Sequence, residues 1–135
     1  MTTVTSEEIT QSRSALSDDQ ASHALKVIEE CEGNLEDAFE VLMIESESEE
    51  GVKGLEFSLS LEQLALKCRD VICEQEFREE ILDGFSRELL NGLVPVVSAE
   101  LTLMGNLPAA LAIPVVMFVI KRGIKSFCKS YEPKS

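Results

Sequence analysis

The residues of this chain best suited to chemistry are a single histidine, His23, and the four cysteines Cys31, Cys68, Cys73 and Cys128. Such side chains can hold a zinc ion, or act as a nucleophile and its base, but only at particular spacings. No two of the cysteines form Cys-x-x-Cys, and His23 is not at zinc-ligand spacing from any pair of them. His23 falls on the polar side of its predicted helix, roughly 80° around the axis from Cys31. We therefore predict no catalytic and no metal-binding residue among them.

The 25 aspartates and glutamates point to the same conclusion. They occupy outward helix positions or an acidic run, and no pair lies in an apolar setting that would raise a carboxyl pKa. The glycine-rich phosphate loop, the serine nucleophile elbow and the His-Glu-x-x-His zinc motif are all missing from the sequence. The sequence therefore predicts a protein that is not an enzyme and that uses no cofactor.

Charge and composition restrict the partners. The formal net charge is -13, and it is unevenly spread, since residues 1–100 contain 7 Lys/Arg and 24 Asp/Glu whereas residues 101–135 contain 5 and 1. An acidic body argues against nucleic acid, because contact with phosphates requires a basic face. Apolar residues make up 44% of the chain, which argues against wholesale disorder.

The N-terminus, MTTVTSEEITQ, is polar and acidic and does not resemble a signal peptide. We therefore expect a cytoplasmic protein. In that reducing compartment the four thiols are expected to be free.

The first 45 residues predict three helices. Thr5 and Glu8 form a capping box, and Ser17 to Gln20 form a second one. An apolar stripe at helical spacing follows the second box, and Gly33 is suited to the left-handed position that ends a helix. Asn34 then caps a third helix, whose predicted inner face consists of Leu35, Ala38, Phe39 and Leu42.

This pattern resembles a known family. Ala24-Leu25, then Glu32-Gly33-Asn34-Leu35-Glu36-Asp37-Ala38, then Leu42, is similar to the last two helices of ubiquitin-associated (UBA-like) domains, which also occur in the nascent-polypeptide-associated complex and in elongation factor Ts. Ubiquitin-binding members carry Met-Gly-Phe/Tyr between helices one and two, where this chain has Ala15-Leu16-Ser17-Asp18. The resemblance, over residues of about 5–44, implies a protein-contact module of unspecified partner. Its candidate interaction residues are Leu16, Leu35, Phe39 and Leu42.

Residues 46–54 combine acidic residues with glycines and predict a linker between residues 1–45 and a second unit, residues 55–135. The second unit opens with a short alternation over 55–59, followed by a capping box at Ser60 to Gln63. Two amphipathic helices are then expected, with stripes over 61–72 and 77–89. Pro95 is expected to bend the chain and interrupt the helix, with a short helix resuming over 96–104, because proline is poorly tolerated inside a helix.

The longest uncharged run, residues 101–120, has two interpretations. About 20 apolar residues can span a bilayer, and Lys121 and Arg122 follow directly. However, Gly105-Asn106 reads as a helix boundary, and the piece that remains is short for a span. A helix apolar on every side is also what the two preceding amphipathic helices need as a partner. We favour a buried central helix from about Pro108 to Lys129. The residues expected in the core, or alternatively in a membrane, are Leu111, Val115, Val116, Phe118 and Ile120.

Together these features predict an all-α fold, with a small N-terminal helical hairpin or three-helix module and a C-terminal helical bundle around an apolar central helix. The predicted function is that of a non-enzymatic adaptor or regulatory protein that binds another protein, with homodimerisation as a further expectation. The alternative is a membrane-associated helical protein that is anchored or inserted through residues 101–120.

Overall fold

The computed structural model describes residues 2–48, 60–75, 86–105 and 107–129, and within these ranges every extended regular element is helical. Residues 77–85 of the predicted stripe over 77–89, and the alternation over 55–59, lie outside the described residues. The helices are α1 Ser6–Ala15, α2 Asp19–Glu30, α3 Leu35–Ser48, α4 Leu61–Lys67, α5 Arg69–Cys73, α6 Arg87–Gly105, a 3-10 turn Ala109–Leu111, α7 Ala112–Arg122 and α8 Ile124–Cys128.

The α7 helix is the centre of the fold. All nine residues from Ala112 to Ile120 are buried, and α7 contacts α2, α3, α4, α6 and α8. This confirms the all-α bundle around an apolar central helix. Burial of large apolar side chains contributes about 2 kcal/mol each, so this helix is the largest single source of stability in the described core.

Three of the predicted helix starts are confirmed by side-chain caps. Thr5 and Glu8 form a reciprocal capping box, as do Ser60 and Gln63. The Asn34 side chain accepts from the backbone N–H of Asp37 at 3.0 Å. The second helix begins one residue later than predicted, because the Asp18 carboxylate, and not the hydroxyl of the preceding serine, accepts from the backbone N–H of Ala21.

The turn between α2 and α3 is hydrogen-bonded to the N-terminal segment. Glu32 takes the left-handed cap position (φ 58°), and the N–H of Gly33 donates to the Ile28 carbonyl at 2.9 Å. The sequence predicts this cap at Gly33, one residue later. Gly33 also has a positive φ, 83°, and a further reason requires glycine there. Val4 donates its N–H to the Gly33 carbonyl at 2.9 Å, and a Cβ at position 33 would overlap the Val4 carbonyl oxygen.

Two expectations about helix continuity are wrong. The stripe over 61–72 is divided at Cys68, where α4 ends and α5 begins. Conversely, α6 continues through Pro95. Proline removes only one ladder hydrogen bond there, and its ring lies on the exposed side of a helix whose opposite side is buried, so packing outweighs the local penalty.

The region predicted as one final helix, Pro108 to Lys129, is divided into three elements. The 3-10 turn precedes α7, and α7 is separated from α8 by Gly123, which has a φ of 94°. Pro114 does not interrupt α7, because it lies in the first turn, where no intrahelical N–H bond is lost.

The two predicted units contact each other extensively. The α1 helix packs on α6, and α2 and α3 pack on α7 and on the 3-10 turn, so their buried residues belong to one apolar cluster. The first three residues of the predicted linker, 46–48, belong to α3. The division into residues 1–45, 46–54 and 55–135 stays a prediction about the chain.

Candidate functional site

The expectation of four free thiols is wrong for two of them. Cys73 at the end of α5 and Cys128 at the end of α8 form a disulfide, with their Cα atoms 5.7 Å apart and a sequence separation of 55. No local spacing could have indicated this pair, because only the packing of α8 against α5 brings the two residues together.

The other two cysteines are free thiols with little nucleophilic character. Burial, reinforced by the nearby Glu100 carboxylate, raises the pKa of Cys68 to about 12. The pKa of Cys31 is also raised, first by burial and then by Asp37 and Glu30. Since the thiolate is the reactive form, neither environment resembles that of a catalytic cysteine.

His23 lies on the surface, as the helical register predicts. Its Nε2 is 2.8 Å from Oε1 of Glu45 on α3, and both side chains are about half exposed. Among the residues that the structure describes, no group of three or more His, Cys, Asp or Glu is arranged to hold a metal ion. A shallow depression of about 410 Å³ on α1 is lined by Ser6, Glu7, Thr10 and Gln11, which all belong to one helix and cannot enclose a ligand.

The basic residues at the end of α7 form ion pairs with other helices of the same chain. Lys121 pairs with Glu8 of α1 at 3.1 Å, and Arg122 pairs with Glu62 of α4 at 3.3 Å. The Arg122 guanidinium also lies 5.0 Å from the ring centre of Phe118. These cations therefore connect the central helix to two of the helices around it.

The predicted interaction residues are all buried. Leu16, Leu35, Phe39 and Leu42 contact other parts of this chain, so in this conformation they offer no surface to a partner, and their interaction role stays a prediction. The predicted core residues are also buried, and they all lie in the 3-10 turn and α7: Leu111, Val115, Val116, Phe118 and Ile120.

The large apolar side chains that do face solvent in the described ranges are Val41 (38% exposed), Ile44 (64%), Leu66 (49%) and Leu103 (81%). Two of them share α3. Together with the exposed Asp37 and Glu40, they occupy positions i, i+3, i+4 and i+7 of that helix and form one face. We call Asp37, Glu40, Val41 and Ile44 the α3 outer face.

The α3 outer face lies on a uniformly acidic helix. The α3 sequence contains five carboxylates and no Lys or Arg, and its last turn has no basic residue to offset the negative end of the helix dipole. Glu36 accepts from the backbone N–H of Thr2, and Glu45 contacts His23. Within the described part of the chain, the carboxylates of Asp37 and Glu40 form no ion pair.

A sequence signal for this face existed. The stripe Leu35, Ala38, Phe39 and Leu42 accounts for the inner side of the helix, so the apolar side chains of Val41 and Ile44 fall outside it. Apolar residues that lie off the buried stripe of a well-defined amphipathic helix are candidates for contact with something other than the core.

No protein-family model, no curated protein and no solved structure matches this chain. None of the helices in the described ranges is long and apolar enough to cross a membrane.

Proposed function

We propose that this chain is a non-enzymatic protein-interaction protein, an adaptor or regulator that contacts another protein through exposed side chains on its helices. The observation that carries the proposal is the solvent exposure of Ile44 on α3, together with its neighbour Val41, on a helix whose opposite side is fully packed. Isolated exposed hydrophobic residues are ordinary, but an adjacent pair on a well-anchored helix is a suitable contact surface.

The resemblance of residues 5–44 to UBA-like modules supports the same function. It implies a protein-contact role for α1 to α3, and α3 carries the exposed pair. The sequence predicts Leu35, Phe39 and Leu42 as interaction residues, but they are buried. The contact that we propose uses the exposed side of α3 instead.

The test is co-purification with the tagged full-length chain at its natural abundance, followed by mass measurement of the complex. We expect one protein at a fixed molar ratio. Recovery of the chain alone, even after chemical cross-linking in cells, would contradict the proposal. Deleting residues 1–45 is a poor control because it would expose the core that α1, α2 and α3 cover, so exposed positions should be substituted instead.

Membrane association through residues 101–120 stays the alternative prediction. Cell fractionation separates the two. Recovery of the untagged chain only in membranes, even after a carbonate wash, would favour the alternative. It would also contradict the burial of the α7 side chains in the bundle.

A further inference from the structure

Resting on the proposed function, we propose that the α3 outer face is the contact surface and that it binds a basic amphipathic helix of another protein. The apolar side chains of that helix would cover Val41 and Ile44. Its lysines and arginines would lie against Asp37 and Glu40.

The apolar part of the contact follows from the geometry of α3. Val41 and Ile44 are three residues apart, so their side chains are neighbours on the helix surface. The inner side of α3 packs in the core, which holds the helix backbone in place under Val41 and Ile44. The buried residues are Leu35, Ala38, Phe39, Leu42 and Met43. Two neighbouring apolar side chains on a rigid helix can contact the apolar stripe of a second helix laid across them.

The sign of the partner's charge follows from electrostatics. All ionisable side chains of α3 are acidic, and the two carboxylates on the outer face form no ion pair within the described residues. The negative end of the helix dipole adds to this potential at the last turn. A basic partner gains attraction here, whereas a second copy of this chain, with a net charge of -13, would bring a like-charged face against it.

The test uses the full-length chain and synthetic peptides of about four helical turns. One peptide has a leucine stripe at helical spacing and lysine at all of the remaining positions. A second has glutamate in place of lysine, and a third has the leucine–lysine composition in scrambled order. Binding is measured by fluorescence anisotropy. We expect the leucine–lysine helix to bind more tightly than the scrambled peptide, and the glutamate helix not to bind.

The decisive comparison is between Ile44→Ser and Leu103→Ser, which both remove a large exposed apolar side chain but from different helices. We expect Ile44→Ser to weaken binding of the leucine–lysine helix by about tenfold or more and Leu103→Ser to leave it unchanged. Glu40→Gln should weaken binding at low salt and reduce its salt dependence. Unchanged circular dichroism and melting temperature in each variant would show that the fold is intact.

Several outcomes would overturn this assignment while leaving the proposed function in place. One is equal binding by Ile44→Ser and the unsubstituted chain, and another is binding of the glutamate helix as tightly as the lysine helix. A cellular complex that survives Ile44→Ser but is lost in Leu103→Ser would move the contact to α6. If light scattering shows a dimer that Ile44→Ser converts to a monomer, the occupant is a second copy of the chain and the proposed basic partner is wrong.

Discussion

At position 33 the backbone conformation and a neighbouring carbonyl group both exclude a side chain. Gly33→Ala would place a methyl group at a φ of 83° and against the Val4 carbonyl oxygen. We expect a loss of at least about 2 kcal/mol of unfolding free energy, measured by urea denaturation, from the combined strain and displacement of the N-terminal segment.

The adjacent residue provides the matched control. Glu32 also has a positive φ, 58°, but its side chain is exposed, so Glu32→Gly relieves backbone strain without creating a clash. We expect this variant to be as stable as the parent chain or up to about 1 kcal/mol more stable. Equal destabilisation by both substitutions would mean that the close approach of Val4 is not what requires Gly33.

Cys68 links the stability of the fold to alkaline pH. Its pKa is raised from an ordinary value of 9.0 to about 12, so above pH 9 the unfolded chain loses this proton while the folded chain retains it. The stabilisation is fully present below pH 9 and is lost as the pH rises towards 12, with a slope of about 1.4 kcal/mol per pH unit. Cys68→Ala should flatten the alkaline part of the stability profile. An unchanged profile in that variant would assign the effect to other groups.

At the scale of elements, the chain depends on connections between helices that are distant in sequence. The disulfide between Cys73 and Cys128 joins α5 to α8 and closes a loop across 55 residues of sequence separation. Cross-linking a loop of that length reduces the entropy of the unfolded chain by an amount equivalent to about 4 kcal/mol.

We therefore expect Cys73→Ser, or reduction of the parent chain, to lower the free energy of unfolding by about 4 kcal/mol and to lower the melting temperature. Cys31→Ser, at a half-buried free thiol, is the control and should behave like the parent chain. A melting temperature that is insensitive to reductant would contradict the prediction, and intact-mass analysis after alkylation would then establish whether the bond forms.

At the scale of the whole molecule, one helix is enclosed by the rest. The α7 side chains from Ala112 to Ile120 are buried against helices from both ends of the chain, so a charge placed among them cannot reach water. We expect Val116→Asp to unfold the bundle, with loss of most of the far-ultraviolet circular dichroism signal and of the cooperative melting transition. Retained helicity and an unchanged melting temperature would refute the central role of α7. Leu103→Asp, on an exposed position of α6, should leave both intact.

Much of this architecture is determined by the sequence alone. Local signals were sufficient wherever the cause is local: Thr5 with Glu8 and Ser60 with Gln63 begin helices through side chains three residues away, and the uncharged run before Lys121 marks the helix that must be buried. Such interactions join residues within one or two helical turns, so the spacing of the residues is sufficient to predict them.

Tertiary structure decided the rest. Whether Pro95 ends a helix depends on whether packing on its opposite side compensates for one lost hydrogen bond. The pairing of Cys73 with Cys128 depends on where α8 lies against α5. The spacing along α3 already places Val41 and Ile44 outside its inner stripe. Only the packing of that stripe into the core shows that the pair faces solvent. These outcomes depend on which residues meet across the bundle, and the spacing of residues along one helix contains no information about its neighbours.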